Sequence, residues 1–351
     1  MDLPFQPPIR PMLSRPAESV PEGEGWLYEP KWDGFRVLLF WDGRECLLQS
    51  RDSKSLGRYF PELVDGLPPL LRGPVVLDGE VVIMAAHGLD FGLLQQRVHP
   101  AESRIRRLAA ETPATFVAFD VLAVGRSDLR EEPLRDRHDA LIAFLEGAEP
   151  PLVQTPSTFR HGQAVDWFHR FEGAGFDGVI AKRLDAPYRE GERTMVKVKH
   201  RRTADCVVGG FRWHKNEEGV GIGSLLLGLY DDMGVLHHIG HTSSFTAATR
   251  RALVEVVTPL ITEEDSAGFG GGRTPGGPSR WSGGRAADWV RLRPELVCEV
   301  AFDQMQGDRF RHGSTFVRWR PDKPPTECGY DQLASAVPAE LRDIFSAPAP
   351  E

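Results

Sequence analysis

The chain has 351 residues, 41% of them apolar, with 42 Lys and Arg against 50 Asp and Glu and a formal charge of −8. That length exceeds the roughly 250–300 residues at which one hydrophobic core usually divides, so two domains are expected. The cysteines Cys46, Cys206, Cys298 and Cys328 form no CxxC pair, which argues against a zinc ribbon or a secreted disulfide framework. No apolar run is long enough to span a membrane, so the sequence points to a cytoplasmic protein with reduced thiols.

The first 25 residues are rich in proline and include Pro21-Glu22-Gly23-Glu24-Gly25, which reads as an extended lead-in rather than a packed element. Regular structure is predicted from Trp26. Residues 26–30, 36–41 and 45–50 are short aromatic and branched runs, with the hairpin signal Asp42-Gly43 between the last two. This places Lys31 on a loop between strands. Further strands are predicted over 74–84, 114–124, 177–183 and 194–200, and helices around 91–110, 134–146 and 161–174.

Beyond Arg202 the pattern changes. Strands are predicted over 205–213, 224–232, 235–241, 295–303 and 314–320, and a helix near 246–261 in which Leu253, Val256, Val257 and Leu260 share an apolar face. Strands in that number with one helix after the third follow the order of an OB-fold barrel, an oligonucleotide-binding module. Residues 268–284 are too glycine-rich for regular structure and are expected to form a mobile loop. The expected fold class is α+β. A mixed, mainly antiparallel domain over 26–202 is expected to follow the lead-in 1–25, with an OB-fold domain over 203–330 and a tail over 331–351.

Negative charge overall seems ill suited to nucleic acid, whose binding rests on lysine and arginine displacing phosphate counterions. Between Arg189 and Lys215, however, eight Lys and Arg face three acids, a basic stripe on an acidic body. A solvated surface is the alternative reading of this stripe, and for the basic segment carrying Arg97, Arg104, Arg106 and Arg107 a solvated helix face serves nearly as well.

Several residues have the chemistry of phosphoryl transfer. Glu29, Lys31, Asp33 and Arg36 are gathered in EPKWDGFR, with Gly34 easing a bend. A lysine that attacks phosphorus must lose a proton, for which neighbouring cations or desolvation are needed. Lys197 and Lys199, two apart on a strand, share one face and could supply those cations while Val196 and Val198 face the core. Glu80 and Asp177 each stand beside a glycine and offer hard oxygen ligands for magnesium, although Asp-Gly is also a turn signal. Phe119 could stack on a purine or fill a core. Arg318, Arg320, Asp322 and Lys323 form a cluster suited to a polyphosphate.

In order along the chain these segments resemble the motifs of the covalent nucleotidyltransferase superfamily, which comprises the ATP-dependent polynucleotide ligases and the mRNA capping enzymes. The match runs through Lys31-Trp32-Asp33-Gly34-Phe35-Arg36, Ser50-Arg51, Leu77-Asp78-Gly79-Glu80, Phe119-Asp120, Asp177-Gly178-Val179-Ile180-Ala181-Lys182, Lys197-Val198-Lys199 and Arg318-Trp319-Arg320-Pro321-Asp322-Lys323. Within the superfamily the chain is most similar to bacterial ligases of the ligase C and ligase D type.

The resemblance implies an ATP-dependent DNA ligase that seals 3′-hydroxyl/5′-phosphate nicks in duplex DNA through a lysyl-AMP on Lys31. It implies that Glu29 reads the adenine amino group, Phe119 stacks on the ring, and Arg36 and Glu80 hold the ribose, with Lys182 also in the nucleotide site. Arg51 would bind the 5′-phosphate and Asp33 would assist the final attack. Lys197 and Lys199 would grip the α-phosphate, Glu80 and Asp177 would support Mg²⁺ or Mn²⁺, and Arg320, Asp322 and Lys323 would orient pyrophosphate. A hinge near His200–Ala204 is implied, as are a monomer, a role in DNA repair and a grip on DNA without the helical domain that large ligases carry. The chain has Asp177 where the family usually has glutamate, Met195 where a tryptophan often stands, and Gly313 in place of a proline. An RNA ligase or capping-type enzyme would share the lysine chemistry, and a non-catalytic OB-fold nucleic-acid-binding protein would share the scaffold.

Overall fold

Strands whose side chains alternate between two faces need a layer on each face, and the first part of this chain meets that need with two sheets packed together and helices outside them. The computed structural model describes residues 1–85, 88–171, 176–199, 202–215, 217–263, 269–270, 275 and 288–333. It divides into two compact units, split between His200 and Arg201. Each is described by itself.

In the first unit one sheet has the order Leu13–Ala17, Arg193–Lys199, Gly178–Arg183, Trp26–Lys31. The other runs Leu152–Gln154, Thr115–Val124, Val75–Val82, Phe35–Trp41, Cys46–Ser50. Pairing is antiparallel except at two edges, where Leu13–Ala17 and Leu152–Gln154 run parallel to their neighbours. Between the sheets Leu38, Phe40, Val76 and Leu122 pack with Ile9, Met12 and Met195. The outer face of the first sheet is covered by helix His161–Arg170 through Ala164 and Trp167. Helices Pro61–Gly66, Phe91–Arg97 and Leu134–Leu145 cover the outer face of the second.

The N-terminal segment differs from expectation. It is not a loose lead-in: Leu13–Ala17 is an edge strand, and Ile9, Met12 and Val20 are buried. Its prolines fit an edge, where one side of the strand makes no ladder bonds. Lys31 likewise ends a strand instead of standing on a loop, and the following turn is confined to residues 32–34. The helical stretch 91–110 is two helices, Phe91–Arg97 and Glu102–Glu111, parted at His99 and Pro100.

The second unit has the sheet order Leu236–Thr242, Ile222–Tyr230, Arg202–Trp213, Val297–Phe302, Thr315–Trp319. A parallel bridge between Thr242 and Ser314 joins the two ends, so the sheet closes on itself. Helix Ala247–Val257 follows the third strand, which completes an OB-fold. Its core includes Val207, Phe211, Leu225, Leu227, Ile239 and Val300. The helix buries Leu253 and Val257, but Val256 is exposed, so the apolar face is narrower than its spacing suggested. Apart from Phe269, Gly270 and Pro275, the glycine-rich stretch 268–284 lies outside the described residues.

Arg97 is a further correction. It is fully buried, donates to the Ile105 and Thr112 carbonyls and pairs with the Glu62 carboxylate, so it holds helices together and is not open to a nucleic acid. Arg106 and Arg107 are exposed but pair with Glu102 and Glu111 one turn away. Removing one member of a buried pair leaves the other uncompensated, so Arg97→Ala is expected to cost about 3 kcal/mol of stability. Urea denaturation followed by far-ultraviolet circular dichroism measures this, and an unchanged midpoint would contradict a structural role.

Candidate active site

The inner face of the first sheet carries polar side chains at every second position. Across that face Lys31, Gly178 and Lys199 stand in one row, since Gly178 is the register partner of both lysines. The next row is Glu29, Ile180, Lys197. Val196 and Val198 point the other way into the core, as their alternation predicts. Gly178 has φ +140°, and a Cβ there would lie 1.9 Å from the Val198 carbonyl oxygen, so only glycine allows the two strands to approach at this row.

The second sheet faces this one with Arg36, Glu80 and Phe119. Arg36 and Glu80 are register partners, and Phe119 lies in the middle of its strand. The turn between the sheets is held tightly. Trp32 donates its indole N–H to Thr155 Oγ1 at 2.8 Å and packs against Phe176, and the Gly34 N–H donates to Glu80 Oε1 at 3.2 Å. A Cβ on Gly34 would lie 2.2 Å from the Val81 carbonyl oxygen, so this glycine is required for close approach and not for a left-handed bend.

Between the faces is a cavity of about 280 Å³, close to the low end for small-molecule sites. Lys31, Lys197, Lys199 and Arg51 give it positive charge; Glu29, Arg36, Glu80, Phe119 and Lys182 line it as well. Met195, the departure from tryptophan noted above, is part of its wall. Sequence reasoning missed a further part: Pro11, Met12, Leu13 and Ser14 of the N-terminal strand also line it. The available signal was the series of apolar residues Leu3, Phe5, Ile9, Met12 and Leu13 among the prolines of this segment.

Charge is arranged in three linked groups. Asp177, 9% exposed, takes Lys31 Nζ at 2.7 Å and Lys199 Nζ at 3.0 Å on the same oxygen. Burial alone would raise its carboxyl; the two ammonium groups outweigh that and bring it down to about 2. Lys31 is therefore flanked by an acid as well as by cations, where only cations were expected. Burial, then repulsion from Lys199 and Lys31, holds the Lys197 ammonium below its ordinary value.

Glu29 and Lys182 form the second group, a buried pair at 2.8 Å. Lys182 Nζ also donates to the Phe119 carbonyl and lies 4.7 Å from the Phe119 ring centre. Burial pushes the Glu29 carboxyl up, against the pull of Lys182. In the third group Arg36 lies 4.4 Å over the same ring and donates to Asp78 at 2.6 and 2.7 Å. Asp78 is fully buried and also accepts from the Tyr188 hydroxyl at 2.6 Å, and that hydroxyl in turn accepts from the Met12 N–H. Asp78 and Tyr188 were not singled out from sequence, although an aspartate inside an apolar strand needs a partner. Asp33 occupies the turn after Lys31, partly buried.

The remaining residues of interest lie in the second unit. Arg320 and Lys323 both bind Asp205, at 2.9 and 3.1 Å, while Asp322 accepts from Arg320. Arg318 is on strand Thr315–Trp319, exposed and paired with Glu299, whereas Arg320 lies just past the strand's end, so the two do not share a strand face as their spacing suggested.

Two comparisons decide what the chain is. The family described as ATP dependent DNA ligase domain matches residues 11–199, and its C-terminal region matches 218–323. DNA ligase C1 of Mycolicibacterium smegmatis is 50% identical over 98% of this chain and 99% of its own length. The chain belongs to the ATP-dependent DNA ligase family. DNA ligase C of Mycobacterium tuberculosis is 46% identical over 98% of this ligase and 99% of its own length. A solved Lig E DNA ligase, 18% identical, covers 89% of the ligase and is itself fully covered, with a TM-score of 0.52, a likeness of fold. The fold class read from sequence, a nucleotidyltransferase domain followed by an OB-fold, agrees with these matches.

The Glu80 carboxyl yields a pH prediction for the ligase. Burial pushes it up to about 7, against the pull of Arg36 and Lys31. Without nucleotide or metal it is expected to hold its proton below that pH and to be charged above it. Side-chain carbon NMR, with Glu80→Gln to assign the signal, tests this; a group already ionised near about pH 5, as an ordinary glutamate is, would contradict it.

Proposed function

We propose that this ATP-dependent DNA ligase works through Lys31, whose amine takes AMP from ATP and releases pyrophosphate. AMP then passes to the 5′-phosphate of a nick, and the 3′-hydroxyl displaces it. A covalent intermediate divides one difficult condensation into easier steps. The observation that carries this reading is that Lys31 and Lys199, in register across Gly178, both line a cavity that also holds Glu29, Phe119 and Arg36. For the attack, the Lys31 amine has to part from Asp177 and give up a proton, while Lys197 and Lys199 meet the charge that builds on the α-phosphate.

Phe119, flanked by Arg36 and Lys182, suits a purine ring, and Glu29 is within its wall to accept from an exocyclic amine. Arg36, with Glu80 as its register partner, holds the ribose. Arg51 is exposed at the cavity and takes the 5′-phosphate of the nick, and Asp33 assists the last attack. Arg320, Asp322 and Lys323 orient pyrophosphate.

Mg²⁺ or Mn²⁺ fits the donor set in part. Such an ion keeps several waters and needs only one or two carboxylates besides phosphate oxygens. Glu80 meets this on the cavity wall, whereas one oxygen of Asp177 is already shared by two ammonium groups, so Glu80 is the main protein ligand and Asp177 the lesser. The ion supplies charge neutralisation at the phosphates when bound.

We also propose an adenylation domain that ends near residue 202 and takes in the N-terminal strand, an OB-fold domain over 203–330 with a tail over 331–351, a repair role, a monomer and a cytoplasmic location. No described helix is long and apolar enough to cross a membrane.

Lys31→Ala is expected to abolish transfer of AMP from ATP yet still seal a nick that already carries a 5′-adenylate. Labelled ATP and GTP, followed by sealing of adenylylated and plain nicks, measure both halves. Labelling by GTP in preference to ATP would favour a capping-type enzyme, and loss of both reactions would refute the division of labour.

A further inference from the structure

Asp205 lies in the first strand of the OB-fold, outside every motif named above, yet it is the point at which two functional cations meet. Both of its carboxylate oxygens accept from Arg320 Nη1 at 2.9 Å, and one of them also accepts from Lys323 Nζ at 3.1 Å. Asp322 takes the opposite edge of the same guanidinium through Nε and Nη2. Asp205 is itself fixed from behind. Gln332 accepts from its backbone N–H at 2.8 Å and donates to its carbonyl at 3.1 Å, so a single amide side chain clamps this residue in place.

The cations need such an anchor. They sit in the turn that follows strand Thr315–Trp319, which is tied by the Arg320 N–H to the Val297 carbonyl and the Lys323 N–H to the Arg320 carbonyl. Long arginine and lysine side chains on a turn sample many rotamers, and ordering them costs entropy at each binding event. Drawing both heads onto one strand carboxylate removes much of that cost in advance. Lys323, with three donors and one of them on Asp205, keeps others for a further acceptor. An ordinary surface ion pair would contribute little and would not gather two cations on a 12% exposed carboxylate.

We propose that Asp205 is a positioning residue for transfer of AMP from ATP, acting through Arg320 and Lys323 on the departing pyrophosphate. The inference rests on the pyrophosphate role proposed above for those two cations. Asp205 does not touch the reacting atoms, and the sealing of an existing 5′-adenylate, which releases no pyrophosphate, does not call on it.

The test uses the full chain and the variants Asp205→Asn, Asp205→Glu and Arg320→Ala, each checked for an unchanged melting temperature. Asp205→Asn is expected to slow adenylylation by ATP, and the reverse discharge of the lysyl-AMP by pyrophosphate, at least roughly tenfold, because small misplacements of a positioned charge carry penalties of that order. Asp205→Glu recovers most of the loss, and sealing of a pre-adenylylated nick stays close to wild type in both. If Arg320→Ala is slow but Asp205→Asn is as fast as wild type, or Asp205→Asn loses adenylylation and sealing alike, Asp205 has no positioning role. A faster Asp205→Asn would make the contact an inhibitory clasp instead. If Arg320→Ala adenylylates normally, the pyrophosphate role itself fails and takes the inference with it.

Discussion

One carboxylate, that of Asp177, holds together the lysines of the proposed nucleotide site. Lys31 and Lys199 belong to strands that are not neighbours, separated by the strand that begins at Gly178. Two ammonium groups left to themselves would repel across that gap. Asp177 draws both onto one oxygen, and the absent side chain of Gly178 lets the backbone of the Lys199 strand come close enough for this. The shorter side chain here, aspartate where the resemblance leads one to expect glutamate, keeps the carboxylate close to the backbone and so close to the row of lysines.

The same logic of a buried acid ordering a base recurs deeper in the unit. Asp78 fixes Arg36 and so the ring of Phe119 beneath it, and Asp120 fixes Arg137 where helix Leu134–Leu145 meets the sheet. Each is a pair whose members would be costly alone. Stability and site geometry are thus supplied by the same contacts, and the polar interior is specified by partner as much as by burial.

Much of this was legible in sequence where a local rule governed it. Alternation in 194–200 placed Lys197 and Lys199 on one face, Asp42-Gly43 marked a hairpin, and the strand-helix order after Arg202 gave the barrel. What failed depended on distant partners. The proline-rich start looked unstructured because its strand is stabilised by residues far along the chain. Arg97 looked like a surface cation because Glu62, which buries it, is not a neighbour in sequence. Asp78 was passed over because its worth lies in Arg36 and Tyr188, one strand and one loop away. Val256 shows the opposite error, a local pattern drawn wider than the face that the barrel covers.

The edge strand Leu13–Ala17 has a consequence for how the ligase is made. It pairs with Arg193–Lys199, far along the chain, and Met12 and Leu13 form cavity wall beside the lysines of that strand. Contacts of such long sequence separation form slowly, because the loop between them must be closed first. A chain cut short of residue 193 lacks the partner of this strand together with Lys197 and Lys199, and so lacks one wall of the cavity. The cavity is closed by a contact that spans most of its unit, so it forms no earlier than that long-range pairing.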